Sequence, residues 1–315
     1  MKFRVSLLLY SRQFGTLVGL LALSTVLWLL TPYFLTLSNL LNIAEQTAII
    51  AIVAVGMTFV IITAGIDLSV GSVLALSGVI MASALHAGVP LPASLLAGSG
   101  AGLFCGLLNG LLVAQGRLPP FISTLGMMSV ARGAALVFTE GRAISGFSES
   151  FRHFASGKIL ALPMPVVIML TIYFIAHVVL TKTKLGRYAY AIGGNEEATV
   201  LSGVNVRLYK AVIYALCGLL SSIAAIILTA RLNSAQPIAG IMYELDAIAA
   251  TVIGGTSLMG GEGTIWGTLI GALIMGVLRN GLTLLGISSF VQQIAIGSVI
   301  ILAVLADMML KARNR

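Results

Sequence analysis

The sequence predicts an all-α polytopic membrane protein of about ten transmembrane helices, one of them broken or re-entrant, with both termini in the cytoplasm. Three observations carry this expectation. The 315 residues are 58% hydrophobic and only 9% charged, with a mean hydropathy of +1.06, whereas soluble domains carry about 25% charged residues. Apolar runs of membrane length recur along the chain. Basic residues are distributed unevenly between alternate connections.

The N-terminal residues Lys2, Arg4 and Arg12 precede an apolar run from about Thr16 to Leu35. The charge order is that of a signal peptide, but the run is too long and no small-x-small cleavage site follows. It reads as an uncleaved first span. Thr31–Asn42, with Pro32, Ser38, Asn39 and Asn42, reads as the first external loop. Further spans follow at about Ala44–Thr63, Val70–His86, Pro92–Ala114, Phe121–Phe138, Met164–Leu180, Ala211–Ala230, Leu245–Leu258, Ile265–Leu285 and Phe290–Met308. Leu245–Leu258 is short and interrupted by glycine, which marks it as the broken or re-entrant one; such backbone survives at membrane depth only inside protein or beside a water-filled cavity. The 35 glycines suit helices that approach closely through small residues. The chain reads as one transmembrane domain over 1–315, with a polar loop at 182–210.

Ten spans place both termini on one side. That side holds twelve of the eighteen basic residues: Lys2, Arg4, Arg12, Arg117, Lys182, Lys184, Arg187, Arg207, Lys210, Lys311, Arg313 and Arg315. Arg142, Arg152, Lys158 and Arg231 lie opposite, and Arg132 and Arg279 fall within spans. The bias puts the termini and the 182–210 loop in the cytoplasm. A nine-span arrangement breaks the pattern in the C-terminal third. The net charge of +8 is thus a matter of sidedness in the membrane, not of nucleic-acid binding.

The polar loop contains a short helix signal. Asn195 is a cap, Glu196 and Glu197 fill the first turn and complement the helix dipole, and Gly203 ends the helix. Ala198, Leu201 and Val204 share an apolar side. A helix of about seven to nine residues is marginal alone in water, so it needs something to dock against. Another protein and the lipid headgroups are both open. The longest external loop, Thr139–Pro163, is either a solvated connection or a short interfacial helix that receives a partner.

Few residues could carry chemistry. Asp67, in the stretch Ala64–Ser72, either caps the following helix together with Ser69 and Ser72 or faces a pathway. Glu244 and Asp246 flank the external entrance to the short span. They either complement a helix start or meet an entering solute or docking protein. Glu45, Gln46 and Thr47 pose the same choice at the second span. Arg132 and Arg279 need partners within the bilayer or must snorkel. Asn109, Ser123, Thr124 and Ser129 suit hydrogen bonds between helices. Cys105 and Cys217 sit in apolar runs and read as buried free thiols. There is no phosphate-loop motif and no H-E-x-x-H; His86, His153 and His177 are scattered, and no catalytic or metal set is visible. The stretches around Gly56–Gly71 and Ala247–Gly261 resemble each other weakly, as broken helices of internal repeats do.

Five stretches taken together closely resemble the ribose-type permeases of sugar ABC importers, carbohydrate uptake family 2. They are AVGMTFVIITAGIDLSVGS (54–72), PPFISTLGMMSVARG (119–133), LGRYAYAIGGNEEATVLSGVNV (185–206), SAQPIAGIMYELDAIAATVIGGTSLMGGEGTIWGTLIGALIMGVL (234–278) and GLTLLGISS (281–289). The resemblance implies a permease subunit, not an enzyme, of an ATP-binding-cassette importer in the bacterial inner membrane. Its solute would be a monosaccharide, ribose foremost. It implies a second permease copy or a sister permease, cytoplasmic ABC ATPase subunits, fused or separate, and a periplasmic sugar-binding protein. No cofactor is expected on this chain; ATP and Mg would sit on the ATPase. By the same resemblance Gly193, Gly194, Asn195, Glu196, Glu197, Ser202 and Gly203 couple the permease to the ATPase. Gln46, Asp67, Ser69, Glu244 and Asp246 are the candidates for pathway or binding-protein contact. Arg279 departs from the uncharged polar residue usual in ribose permeases. The alternative from another class is a self-sufficient secondary sugar carrier, with Asp67, Glu244 and Asp246 coupling an ion gradient.

Overall fold

The computed structural model describes residues 2–313; Arg315, counted above among the basic residues, lies outside the described residues. Thirteen helices and four two-residue strands are described. In order they are α1 (Lys2–Leu30), α2 (Leu37–Ile62), α3 (Val70–His86), α4 (Leu91–Ala114), α5 (Pro120–Thr139), β1 (Ile144–Ser145), α6 (Glu149–Ser156), β2 (Lys158–Ile159), β3 (Leu162–Pro163), α7 (Met164–Lys182), α8 (Lys184–Gly194), α9 (Glu196–Leu201), α10 (Val206–Leu232), β4 (Ser234–Ala235), α11 (Tyr243–Ile253), α12 (Ile265–Leu284) and α13 (Ser289–Arg313).

Helices α2, α4, α5, α7, α10 and α12 are long and apolar enough to cross a membrane. Phe14–Leu30 within α1, α3, and Ser289–Leu302 within α13 are shorter apolar helices. Helix α11 has 11 residues and reaches about 16 Å, roughly half of a hydrocarbon core of about 30 Å. It runs into the non-helical stretch Gly254–Thr264. Large apolar side chains such as Phe104, Phe121, Val137, Phe174 and Phe290 are exposed around the bundle, a surface that suits lipid rather than water. The chain is a multi-pass, all-α membrane protein.

The helix boundaries follow local chemistry. Pro92, Pro120 and Pro165 stand in the first turns of α4, α5 and α7, where the missing N–H costs nothing. Asn233 in the left-handed region ends α10. The first external loop is shorter than the expected Thr31–Asn42. Helix α2 starts at Leu37, with Thr36 as its N-cap accepting from the Asn39 N–H. Asn39 and Asn42 are therefore helical. Asn39 and Asn280 exchange two amide hydrogen bonds, at 3.0 and 2.8 Å, joining α2 to α12. In hydrocarbon these polar side chains satisfy each other.

Helix α2 is the centre of the bundle and is buried on all sides from Thr47 to Ile62, apart from Ile50. Helices α7, α10, α11 and α12 pack around it. Such all-round apolarity is what a central helix requires. Gly98, Gly102, Gly106 and Gly110 recur every fourth residue on α4; the last three lie against the backbone of α10. A Cβ on Gly106 would overlap the Tyr214 carbonyl oxygen. This is small-residue packing at its closest.

The Thr139–Pro163 loop is folded onto the bundle, not merely solvated. Strand β1 pairs antiparallel with β4, Ile144 opposite Ala235. Asn233 Oδ1 accepts from the Phe147 N–H at 3.1 Å. Helix α6 turns the fully buried Phe151 into a cluster with Phe147, Met81 and Ala230. Cys105 and Cys217 are free and buried.

Candidate functional site

One end of the bundle gathers the end of α2, helices α8 and α9, and the loop after α11. Helix α9 forms where its cap chemistry places it. Asn195 Oδ1 accepts from the Ala198 N–H at 2.9 Å. Glu196 and Glu197 lie in the first turn. Ser202 closes the helix, its hydroxyl donating to the Ala198 carbonyl at 2.8 Å, and Gly203 follows at φ +79°. Lys210 reaches back to Glu196 at 2.6 Å.

The apolar face differs from the expected one. Thr199 is the side chain turned inward; Ala198 and Leu201 point out and Val204 is half-buried. Leu201 is 88% exposed and neighbours the exposed Val200. A six-residue helix with bare leucine and valine is a surface waiting for cover.

Helix α8, which the sequence did not announce, supports α9. Its Tyr190 hydroxyl donates to the Gly263 carbonyl at 2.6 Å. Burial pushes the Tyr190 hydroxyl up to about 12, so it stays a donor. Tyr188 stacks edge-on to Tyr209 at 4.7 Å. Gly193 touches the ends of α2 and of the α11 loop. Gly194 and Gly203 stand beside open space.

The five pathway candidates fall into separate groups. Asp67 is 1% exposed and lies in the linker between α2 and α3. Its Oδ1 accepts from the Ser69 N–H at 2.9 Å and the Ser69 hydroxyl at 2.6 Å. Asn109 on α4 donates to that hydroxyl at 2.9 Å. Ser69 is the N-cap residue of α3, yet no side chain caps the helix there. The capping expectation for Asp67 therefore gives way to a local turn that closes two residues on.

Gln46 and Arg231 both donate to Asn42 Oδ1, at 2.9 and 3.2 Å. Glu244 lies over the first turn of α3, beside Gly71. Asp246 is buried and paired with Arg279 at 2.7 Å. Arg132 donates to the Pro237 and Ala239 carbonyls at 2.6 and 2.7 Å, which clamps the approach to α11. Both in-span arginines thus have partners. Asn42 and Tyr190 were not foreseen: each is a common polar residue whose significance lies in a partner distant in sequence.

Three of the non-helical segments among the described residues bear on the site: Thr63–Ser69, Gln236–Met242 and Gly254–Thr264. Tyr214 and Thr124 supply donors to Ile66 O in the first, and Arg132 supplies them in the second. Broken helices braced in this way are a feature of transport proteins.

Residues 39–305 match the family model described as "Branched-chain amino acid transport system / permease component". The ribose import permease protein RbsC of Escherichia coli strain K12 is 52% identical over 296 residues, covering 93% of this chain and 92% of the relative. RbsC of Bacillus subtilis strain 168 is 50% identical over 298 residues, covering 94% and 92%. The D-allose transport system permease protein AlsC of Escherichia coli K12 is 38% identical over 301 residues, covering 95% and 92%. No solved structure matches the chain. These relatives are permease subunits, transport components rather than enzymes. The braced helix breaks, the capped and uncovered α9 and the near full-length matches agree: the chain belongs to this permease-component family, among the ribose-type sugar permeases that its motifs resemble.

Proposed function

We propose that this chain is the transmembrane permease of an ATP-driven importer of ribose in the bacterial inner membrane. The observation that carries the reading is the identity of about one residue in two with ribose import permeases across nearly the whole chain. Residues 1–315 act as one permease domain of ten spans, α11 being the broken one, with both termini in the cytoplasm. The basic residues around α8 and α9 support that sidedness.

Helix α9 then faces the cytoplasm and seats in an ABC ATPase subunit through Leu201, Val200 and its capped first turn. Gly193, Gly194, Asn195, Glu196, Glu197, Ser202 and Gly203 make up the coupling segment. ATP and Mg reside on the ATPase. A second copy of the chain, or a sister permease, completes the pore, and a periplasmic sugar-binding protein delivers the sugar from outside. Gln46 and Glu244, both half-buried, offer passing polar contacts to the sugar. Asp67, Ser69 and Asp246 shape the pathway from behind.

The test is a mild-detergent pull-down of the tagged chain from its native membrane, with partners identified by mass spectrometry. Recovery of an ABC ATPase and a ribose-binding protein is expected. Recovery of the chain alone, under conditions that hold a control ABC complex together, would favour ion-coupled transport by this chain.

A further inference from the structure

The end of α2, helix α8 and the loop after α11 meet backbone to backbone. The Gly261 N–H donates to the Ile62 carbonyl at 2.9 Å. A Cβ on Gly193 would overlap that same carbonyl oxygen and crowd the Gly261 nitrogen. Gly260, at φ +82°, would place a Cβ 2.9 Å from both the Gly193 carbonyl oxygen and the Ala64 Cβ. Tyr190 closes the junction through Gly263 O at 2.6 Å. The loop is internally braced: Ser257 O accepts from the Gly260 N–H, and the Ser257 N–H donates to Glu262 O, both at 3.0 Å. It continues without slack into the α11–α12 hairpin, where Gly254 packs on Gly267 and Gly271 packs on Ala250, backbone against backbone. By contrast, side chains tie α8 and α9 to α10: the edge-on Tyr188–Tyr209 contact and the Glu196–Lys210 ion pair, whose glutamate is half exposed, and partly solvated pairs contribute little.

We propose that this junction makes α8–α9 and the α11 hairpin one rigid unit, with Tyr190 as its positioning residue. Displacement of α9 then reaches Glu244 and Asp246 through Gly254–Thr264 rather than along α10. Close-packed backbone transmits displacement because it has no free volume in which to absorb it, and two sites are coupled only by an element that both can bias. The inference rests on the reading of α9 as the ATPase contact.

The experiment places spin labels at Ala191→Cys, on α8 outside the coupling segment, and at Met259→Cys, both exposed positions, in the assembled importer; the native cysteines are buried. The label-to-label distance is expected to be the same in the nucleotide-free and ATP-analogue states. In a Tyr190→Phe background it should shift or broaden. Without labels, Tyr190→Phe should recover the ATPase normally yet move about fivefold less sugar per ATP hydrolysed, the effect of losing one buried hydrogen bond. A nucleotide-dependent distance with Tyr190 present, or an unaltered transport ratio in Tyr190→Phe, overturns the proposal while leaving the importer reading intact. Failure of the unsubstituted chain to recover any ATPase overturns both.

Discussion

Arg279 on α12 donates to Asp246 on α11 across 2.7 Å, and the two ends of the pair differ in environment: the Asp246 side chain is 2% exposed and that of Arg279 40%. The carboxylate lies inside the protein, and its positive partner reaches in from a more exposed position. Removing the arginine strands a buried charge, while removing both groups strands nothing. Arg279→Met should lower stability by about 3 kcal/mol, the lower end for breaking a buried pair. Arg279→Met with Asp246→Leu should recover most of that. Thermal unfolding in detergent reads both, and equal midpoints for the single and double variants would refute the asymmetry.

Packing of α4 on α10 gives an internally controlled prediction. Gly106→Val forces a side chain into the Tyr214 carbonyl, whereas a Cβ on Gly100 of the same helix meets nothing within 4 Å. The first should cost upwards of about 1–3 kcal/mol, and Gly100→Val much less. The yield of monodisperse protein and its midpoint should separate them clearly; similar behaviour would mean that the close approach is not required.

Helix α9 depends on its cap. Asn195→Ala removes the acceptor for the Ala198 N–H and should cost about 1 kcal/mol locally, enough to fray a helix of six residues. Hydrogen exchange over 196–201 should accelerate while the bundle stays protected. Unchanged exchange there would show that the cap is dispensable.

Leu201→Asp tests the same helix from the outside. Because Leu201 is uncovered, the substitution should leave the thermal midpoint where it is. Association with the ATPase should weaken by tenfold or more, about 1.4 kcal/mol. A fall in stability with binding intact would point to Leu201 packing within its own subunit.

Tyr190 contributes an alkaline signature. Burial raises its hydroxyl to about 12 in the folded chain, against about 10 in an unfolded one. The neutral form is therefore favoured by folding. Its stabilisation is complete below about pH 10 and is lost as pH rises towards about 12. Tyr190→Phe should flatten that part of the pH–midpoint curve and leave the neutral range otherwise parallel. An alkaline slope identical in the two proteins would exclude the buried hydroxyl as its source.

Much of this molecule is local and therefore legible in its residues. Apolar length marked the helices. Asn195-Glu196-Glu197 with Gly203 marked α9 almost to the residue, because caps and dipoles act within one turn. The every-fourth-residue glycines of α4 gain their meaning only in the structure, where Gly102, Gly106 and Gly110 meet the backbone of α10. The first external loop was set too long because Ser38, Asn39 and Asn42 look like loop residues; Asn39 is helical because Asn280, 241 positions away, satisfies its amide. Helix α8 escaped notice because what holds it is Tyr190 on Gly263, 73 residues on.

By itself, then, the sequence determined a membrane-embedded helical protein with a capped polar loop, since hydropathy and capping are read within a few residues, while the permease reading came from the resemblance of its motifs to known permeases. The tertiary structure decided which helices are neighbours. That choice paired Asp246 with Arg279, set Gln46 and Arg231 on Asn42, sealed Asp67 against Ser69, turned Thr199 inward instead of Leu201, and joined α8 to the α11 hairpin. The physical reason is that buried polar groups and glycine contacts are settled by whatever backbone lies opposite, and nothing within a single helix specifies what that will be.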